Sequence, residues 1–157
     1  MKKVFITSLL LICINLSAQE YYWTSYSFNV EPEDEEIVAK LTNDYFSAKN
    51  SKADGISVYL FENHFHDSSL SSSHEIVFAG TYEAMGDQYS QGENPSWDLY
   101  LAKLGQYTKR YSAAAGNSIY SFGVPGSHPV QNLLWLNVSD ASKFAAGFKN
   151  YHSKNNP

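Results

Sequence analysis

Tyr22, Thr24, Tyr26, Phe28 and Val30 alternate with Trp23, Ser25, Ser27 and Asn29. A period of two built from aromatic and β-favouring residues suits an extended strand, so this chain begins its fold with a sheet. Directly after it comes Glu31-Pro32-Glu33-Asp34-Glu35-Glu36. Proline suits a first helical turn, and the acids complement the positive end of a helix dipole. Val38, Leu41, Tyr45 and Ala48 then recur at spacings of three and four, which predicts a helix with one stripe facing a core. As a calcium site the acidic run lacks alternating oxygen ligands and a glycine turn, so it is read as a helix start.

Beyond a polar break at 50–55, Ile56 to His66 and His74 to Ala79 read as two strands joined by the loop 67–73. The first of these strands is apolar on both faces, with Ile56, Val58 and Leu60 on one and Tyr59, Phe61 and Phe65 on the other, so both faces need cover. Thr81 to Gln88 suits a short helix. A loop through Pro95 ends at Ser96 as N-cap, and Trp97, Tyr100, Leu101, Leu104, Tyr107 and Tyr111 predict a helix running to about Ala113. Ser118 to Val124 reads as a weak strand and Leu133 to Val138 as a strong one. Ser139-Asp140 then caps a last helix carrying Phe144, Phe148 and Tyr151. Phe28-Asn29-Val30 and Leu136-Asn137-Val138 echo one another before a helix, as two strand-helix units of a repeat would.

The first eighteen residues have the three parts of a bacterial secretory signal: Lys2 and Lys3, an apolar run from Val4 to Ile14, and a small-residue exit at Ser17-Ala18. The run is shorter than the roughly twenty residues that span a bilayer as a helix. Cleavage after Ala18 is expected to export a soluble protein to the periplasm or beyond, with one α+β domain over 19–153 and a polar tail at 154–157. The lone Cys13 leaves with the leader, so stability has to come from a packed core and not from disulfides. Nine basic and sixteen acidic side chains remain, a formal charge of −7. That balance gives no footprint for nucleic acid or an anionic membrane surface.

Strand, helix, strand, strand, helix, strand is the order of a ferredoxin-like unit, an antiparallel sheet with helices on one face, here followed by an extra strand and helix. In its middle part, the hairpin through Ala79-Gly80 with Glu83-Ala84-Met85-Gly86, the chain resembles the dimeric α/β barrel superfamily, in which two such sheets close face to face. The resemblance implies a possible homodimer. It also implies a range of roles, from small cofactor-independent monooxygenases to haem-degrading enzymes and stress-response proteins, and so selects no single function.

Two constellations could carry chemistry. His64 and His66 share a strand face with Glu62, and if His66 lies opposite His74 across the hairpin, three imidazoles and a carboxylate gather where zinc could bind. The simpler reading of the same residues, and the preferred one, is polar groups near a solvent-exposed hairpin end. The second is the aromatic load, three tryptophans and twelve tyrosines, which suits a pocket for a small apolar or aromatic ligand. In the monooxygenase branch of the resembling superfamily, tryptophan, asparagine and histidine line the cavity. Trp23, Asn63, His64, Trp97 and Trp135 are the corresponding types here and would serve a ring-oxidising or haem-handling activity. An interaction module with an exposed apolar sheet face is the further alternative. No Gly-x-Ser-x-Gly elbow, phosphate loop or dinucleotide fingerprint is present in the sequence.

Overall fold

The computed structural model describes residues 20–49, 51–64, 71–120, 130, 134 and 136–155. Strand β1 (Tyr22–Val30) leads through a 3-10 turn at Pro32–Asp34 into helix α1 (Glu35–Phe46), as the period-two stretch and the acidic run require. Strands β2 (Ser57–Glu62) and β3 (His74–Gly80) form the hairpin. Helices α2 (Tyr82–Ser90) and α3 (Pro95–Leu104) follow, then strand β4 (Thr108–Asn117) and, at the C-terminal side, helix α4 (Ala141–Asn155).

The four strands stand in the order β2-β3-β1-β4, and every neighbouring pair is antiparallel. Two β-α-β units therefore interleave, each with a strand of the other between its own two. The fold is ferredoxin-like. Phe28 and Val30 of β1 and Ile76 and Phe78 of β3 point to the helical side. There they form one buried cluster with Val38 of α1, Ile56, Ala84 and Met85 of α2, and Tyr100 and Leu104 of α3. Gly80 ends β3 where no side chain fits, since a Cβ there would lie 2.8 Å from Ile56 Cδ1 and 3.0 Å from the Gly55 carbonyl oxygen.

Three elements differ from the sequence reading. The helix from Trp97 stops at Leu104 instead of reaching Ala113, and residues 108–117 are the fourth strand, not part of a helix. Tyr107 and Tyr111 have helical spacing from Leu104, but Thr108 to Asn117 offers β1 a full ladder, and tertiary pairing overrides local periodicity. Residues 118–120 are outside any strand, and 121–124 lie outside the described residues. In the expected strand Leu133 to Val138, Leu134 and residues 136–138 form no strand, and 133 and 135 are outside the described set. The extra C-terminal helix is present without a strand before it among the described residues, so the echo of Phe28-Asn29-Val30 in Leu136-Asn137-Val138 is not a structural repeat.

The helix caps also sharpen the reading. Asn94, not Ser96, caps α3, its Oδ1 accepting from the N–H groups of Ser96 at 3.1 Å and Trp97 at 3.2 Å. Pro95 is the first helical residue, where its missing N–H costs nothing, so the cap must precede it. Thr81 caps α2 through Ala84 N–H at 3.2 Å, and Asp140 Oδ1 accepts from Lys143 N–H at 2.9 Å at the start of α4. Among the described residues no helix is long and apolar enough to cross a membrane.

Candidate functional site

On the helical side of the sheet, the end of α2, the α2-α3 loop and the start of α3 leave a cleft of ≈ 190 Å³ against β1 and β3. Its floor is Tyr26 and Phe78, and its walls are Tyr45, Tyr89 and Trp97, with Ser51, Gln88, Gln91 and Asn94 supplying polar groups. The cleft exists because α3 is held at its N-terminus by Asn94 and packs its aromatic stripe inward. Trp97 lies 5.7 Å from the Tyr45 ring, 6.4 Å from Phe78 and 5.4 Å from Tyr100. Tyr45 stacks on Tyr100 at 4.6 Å, and the Tyr100 hydroxyl bonds Thr42 at 3.1 Å.

Three hydroxyls meet at one wall. Tyr89 is bonded both to Thr24 and, at 3.0 Å, to Tyr26. Burial pushes the Tyr89 phenol up to about 12, although the Thr24 hydrogen bond acts against the rise. Burial also raises Tyr45. At neutral pH these phenols are protonated, so they can offer hydrogen bonds but cannot take a proton from a substrate.

Of the residues singled out from sequence, Trp97 lies in this cleft. Trp23 lies on the opposite face of the sheet, its ring so close over Gly116 that a Cβ there would sit 2.7 Å from Trp23 Cζ2. Asn63 closes the hairpin, with its N–H donating to Ser73 O at 2.7 Å and its Nδ2 to Ser72 O at 3.0 Å. His64 is exposed, with Nδ1 3.3 Å from Glu62 Oε1. Trp135 and His66 lie outside the described residues.

His74 pairs across the hairpin with Glu62 and not with His66. Its ring is 4% exposed, stacks on Phe28 at 6.1 Å and engages Ser73 Oγ through Nδ1 at 2.9 Å. The described members of that set, Glu62, His64 and His74, do not converge on a zinc site. His74 turns into the core while His64 faces solvent, and among the described residues no group of three His, Cys, Asp or Glu could hold a metal ion. Among the described residues no histidine lines the cleft, and its volume falls below the roughly 300 Å³ of drug-sized sites, so the described lining does not fit haem.

Burial holds the His74 imidazole below its ordinary value of 6.5, with the Glu35 and Glu62 carboxylates pulling the other way. The unfolded chain then binds a proton that the native state refuses, so stability present above about pH 6.5 is lost as pH falls toward the depressed native value. Urea denaturation between pH 7 and 5 is expected to give a falling stability whose slope is smaller in His74→Gln. Equal slopes would remove His74 as the cause.

The opposite face of the sheet holds a group that the sequence reading passed over. Glu75, 6% exposed, accepts a hydrogen bond from Ser25 Oγ and a longer one from Ser27 Oγ at 3.5 Å. The register lays out Phe61, Glu75, Ser27 and Ser112 in one row and Tyr59, Val77, Ser25 and Ala114 in the next. The available signal was the alternation of His74, Ile76 and Phe78 toward the helices, which sends Glu75 and Val77 the other way. As a lone acid in a strand, Glu75 gave no motif to find.

No protein-family model matches the chain, and no curated protein matches it. Several solved structures align with part of the chain. One described as an antibiotic biosynthesis monooxygenase from Caulobacter crescentus is 11% identical, with 64% of this chain and 89% of that one covered at a TM-score of 0.46. A dimeric α/β-barrel (DABB) family protein of ferredoxin-like fold from Mesorhizobium loti is 9% identical, with 67% and 100% covered at 0.47. A cofactor-independent oxygenase from Streptomyces nogalater is 14% identical, with 68% and 96% covered at 0.40. These are ferredoxin-like proteins of the dimeric α/β barrel kind. A ferredoxin-like protein from Bacteroides fragilis in the same set is described as dimeric.

Proposed function

We propose that this domain binds a small, single-ring aromatic molecule in the cleft between the α2-α3 loop and the sheet. The observation that carries the reading is the lining: five aromatic side chains around ≈ 190 Å³, with no charged residue among the described lining residues. An apolar cavity of about 150 Å³ takes up benzene, so a single ring with a short substituent matches this space. Binding is favoured over catalysis because the titratable groups of the cleft are tyrosines, of which Tyr89 and Tyr45 are raised by burial. Ethylbenzene is expected to quench tryptophan fluorescence saturably with a Kd of about 0.1–1 mM. No change in emission up to the solubility limit of ethylbenzene would refute the reading.

A second reading concerns the other sheet face, and here we infer that a second copy of the chain covers it. Its β2 edge carries the large Tyr59 and Phe61 while its β4 edge carries the small Ser112 and Ala114, in the same two rows. A two-fold axis along the strands lays the bulky edge of one copy over the shallow edge of the other, a self-complementary contact. Sedimentation at about 100 μM is expected to give a dimer, and Ala114→Arg a monomer with little change in Tm. A wild-type monomer at that concentration excludes this pairing.

A further inference from the structure

The rings around the cleft do not lie in one stack. Phe78 at the floor stands at 89° to Tyr26 and at 78° to Trp97, and Trp97 is tilted by 51° from Tyr45. Tyr89 forms a further wall, held to β1 through its hydroxyl. The space is therefore bounded by aromatic rings in crossed planes, as a cage is. Tryptophan and tyrosine rings attract a cation placed over them, and a cation that holds its water weakly gains most from the contact.

The charges around the mouth have the matching sign. Six of the ten described lining residues come from the stretch Gln88 to Trp97. Residues 82–98, which contain it, carry Glu83, Asp87, Glu93 and Asp98 and no lysine or arginine. All four acids are exposed. Lys49 and Lys52 stand beside Ser51 in sequence, but Lys52 donates to the Ile56 carbonyl oxygen. Such a field favours a positive ligand, and no charged residue among the described lining residues would compensate a buried carboxylate. Gln88 Oε1 and Asn94 Oδ1 are engaged by Ala53 N–H and by the first turn of α3, bonds that a ligand with no N–H or O–H of its own leaves in place. Resting on the ring-binding reading above, we propose that the cleft selects an aromatic cation, a single ring carrying its positive charge on an alkylated ring nitrogen, over a neutral or anionic ring of the same size.

N-Ethylpyridinium and ethylbenzene test this, because they share shape and heavy-atom count and differ by one charge. Ligand NMR line widths are expected to show N-ethylpyridinium bound to wild type about fivefold more tightly than ethylbenzene, and benzoate bound more weakly than either. Trp97 offers the strongest ring face. Trp97→Leu removes that face but keeps apolar atoms at the wall, so the two isosteres are expected to bind the variant within about twofold of each other. The wild-type order decides by itself where Trp97→Leu does not fold. Ethylbenzene binding wild type as tightly as N-ethylpyridinium or more so, benzoate binding tightest, or a preference undiminished in Trp97→Leu overturns the cation assignment while leaving ring binding intact. Failure of both isosteres to bind wild type overturns both readings.

Discussion

Replacing Phe28 by alanine is expected to lower the unfolding free energy by about 4 kcal/mol, which is a large share of the roughly 5–15 kcal/mol a domain of this kind possesses. Phe28 is 1% exposed and sits in the central strand. Its ring stacks on His74 and touches Tyr111 at 6.3 Å, so its removal opens a void shared by β1, β3 and β4. With urea m-values of about 1–3 kcal/mol/M, the midpoint should fall by about 2 M with little change in slope. Phe28→Leu keeps most of the volume and should cost about 1.5 kcal/mol or less. A midpoint for the alanine variant within the error of wild type would mean that this strand is not the centre of the core.

Trp97→Ala is the second large effect, and it separates stability from binding. Trp97 is half-buried among Tyr45, Phe46, Phe78 and Tyr100. Its loss should cost about 2–3 kcal/mol, somewhat below the 3–5 kcal/mol of a fully buried large aromatic. The same change removes one wall of the cleft, and ethylbenzene should no longer bind measurably even where the variant is fully folded by circular dichroism. Because Trp97 is also a fluorophore, the ligand is best followed in this variant through its own NMR line widths. Wild-type affinity in Trp97→Ala would move the ligand site elsewhere.

The course of β1, the proline-led start of α1 and the hairpin were legible because each rests on a local rule: alternation, first-turn chemistry, and turn residues between apolar runs. Tyr107 and Tyr111 misled for a physical reason. Their spacing from Leu104 suits a helix, but Thr108 to Asn117 meets an open edge of β1, and only knowledge of that edge reveals it. The hairpin register was illegible because its tip is long, and the pairing of His74 with Glu62 is set by the third strand across the sheet. In the cleft, Trp97 was legible as an aromatic of the right kind. Tyr26, Tyr45 and Tyr89 were not, since three tyrosines far apart in sequence become one wall only after β1, α1 and α2 are packed.

The order of strands also governs how the chain reaches its native state. Tyr22 of β1 stands opposite Asn117 of the neighbouring β4, and β3 and β4 flank the strand that leaves the ribosome before either of them. Until residues 108–117 have been synthesised, β1 holds one flank of amides and carbonyls unsatisfied, next to the aromatic side chains of its own sequence. Such a flank recruits strands from other molecules as readily as its own. The nascent protein is thus most vulnerable to aggregation between completion of the hairpin and arrival of β4, and holding factors that bind extended aromatic segments would act in that interval.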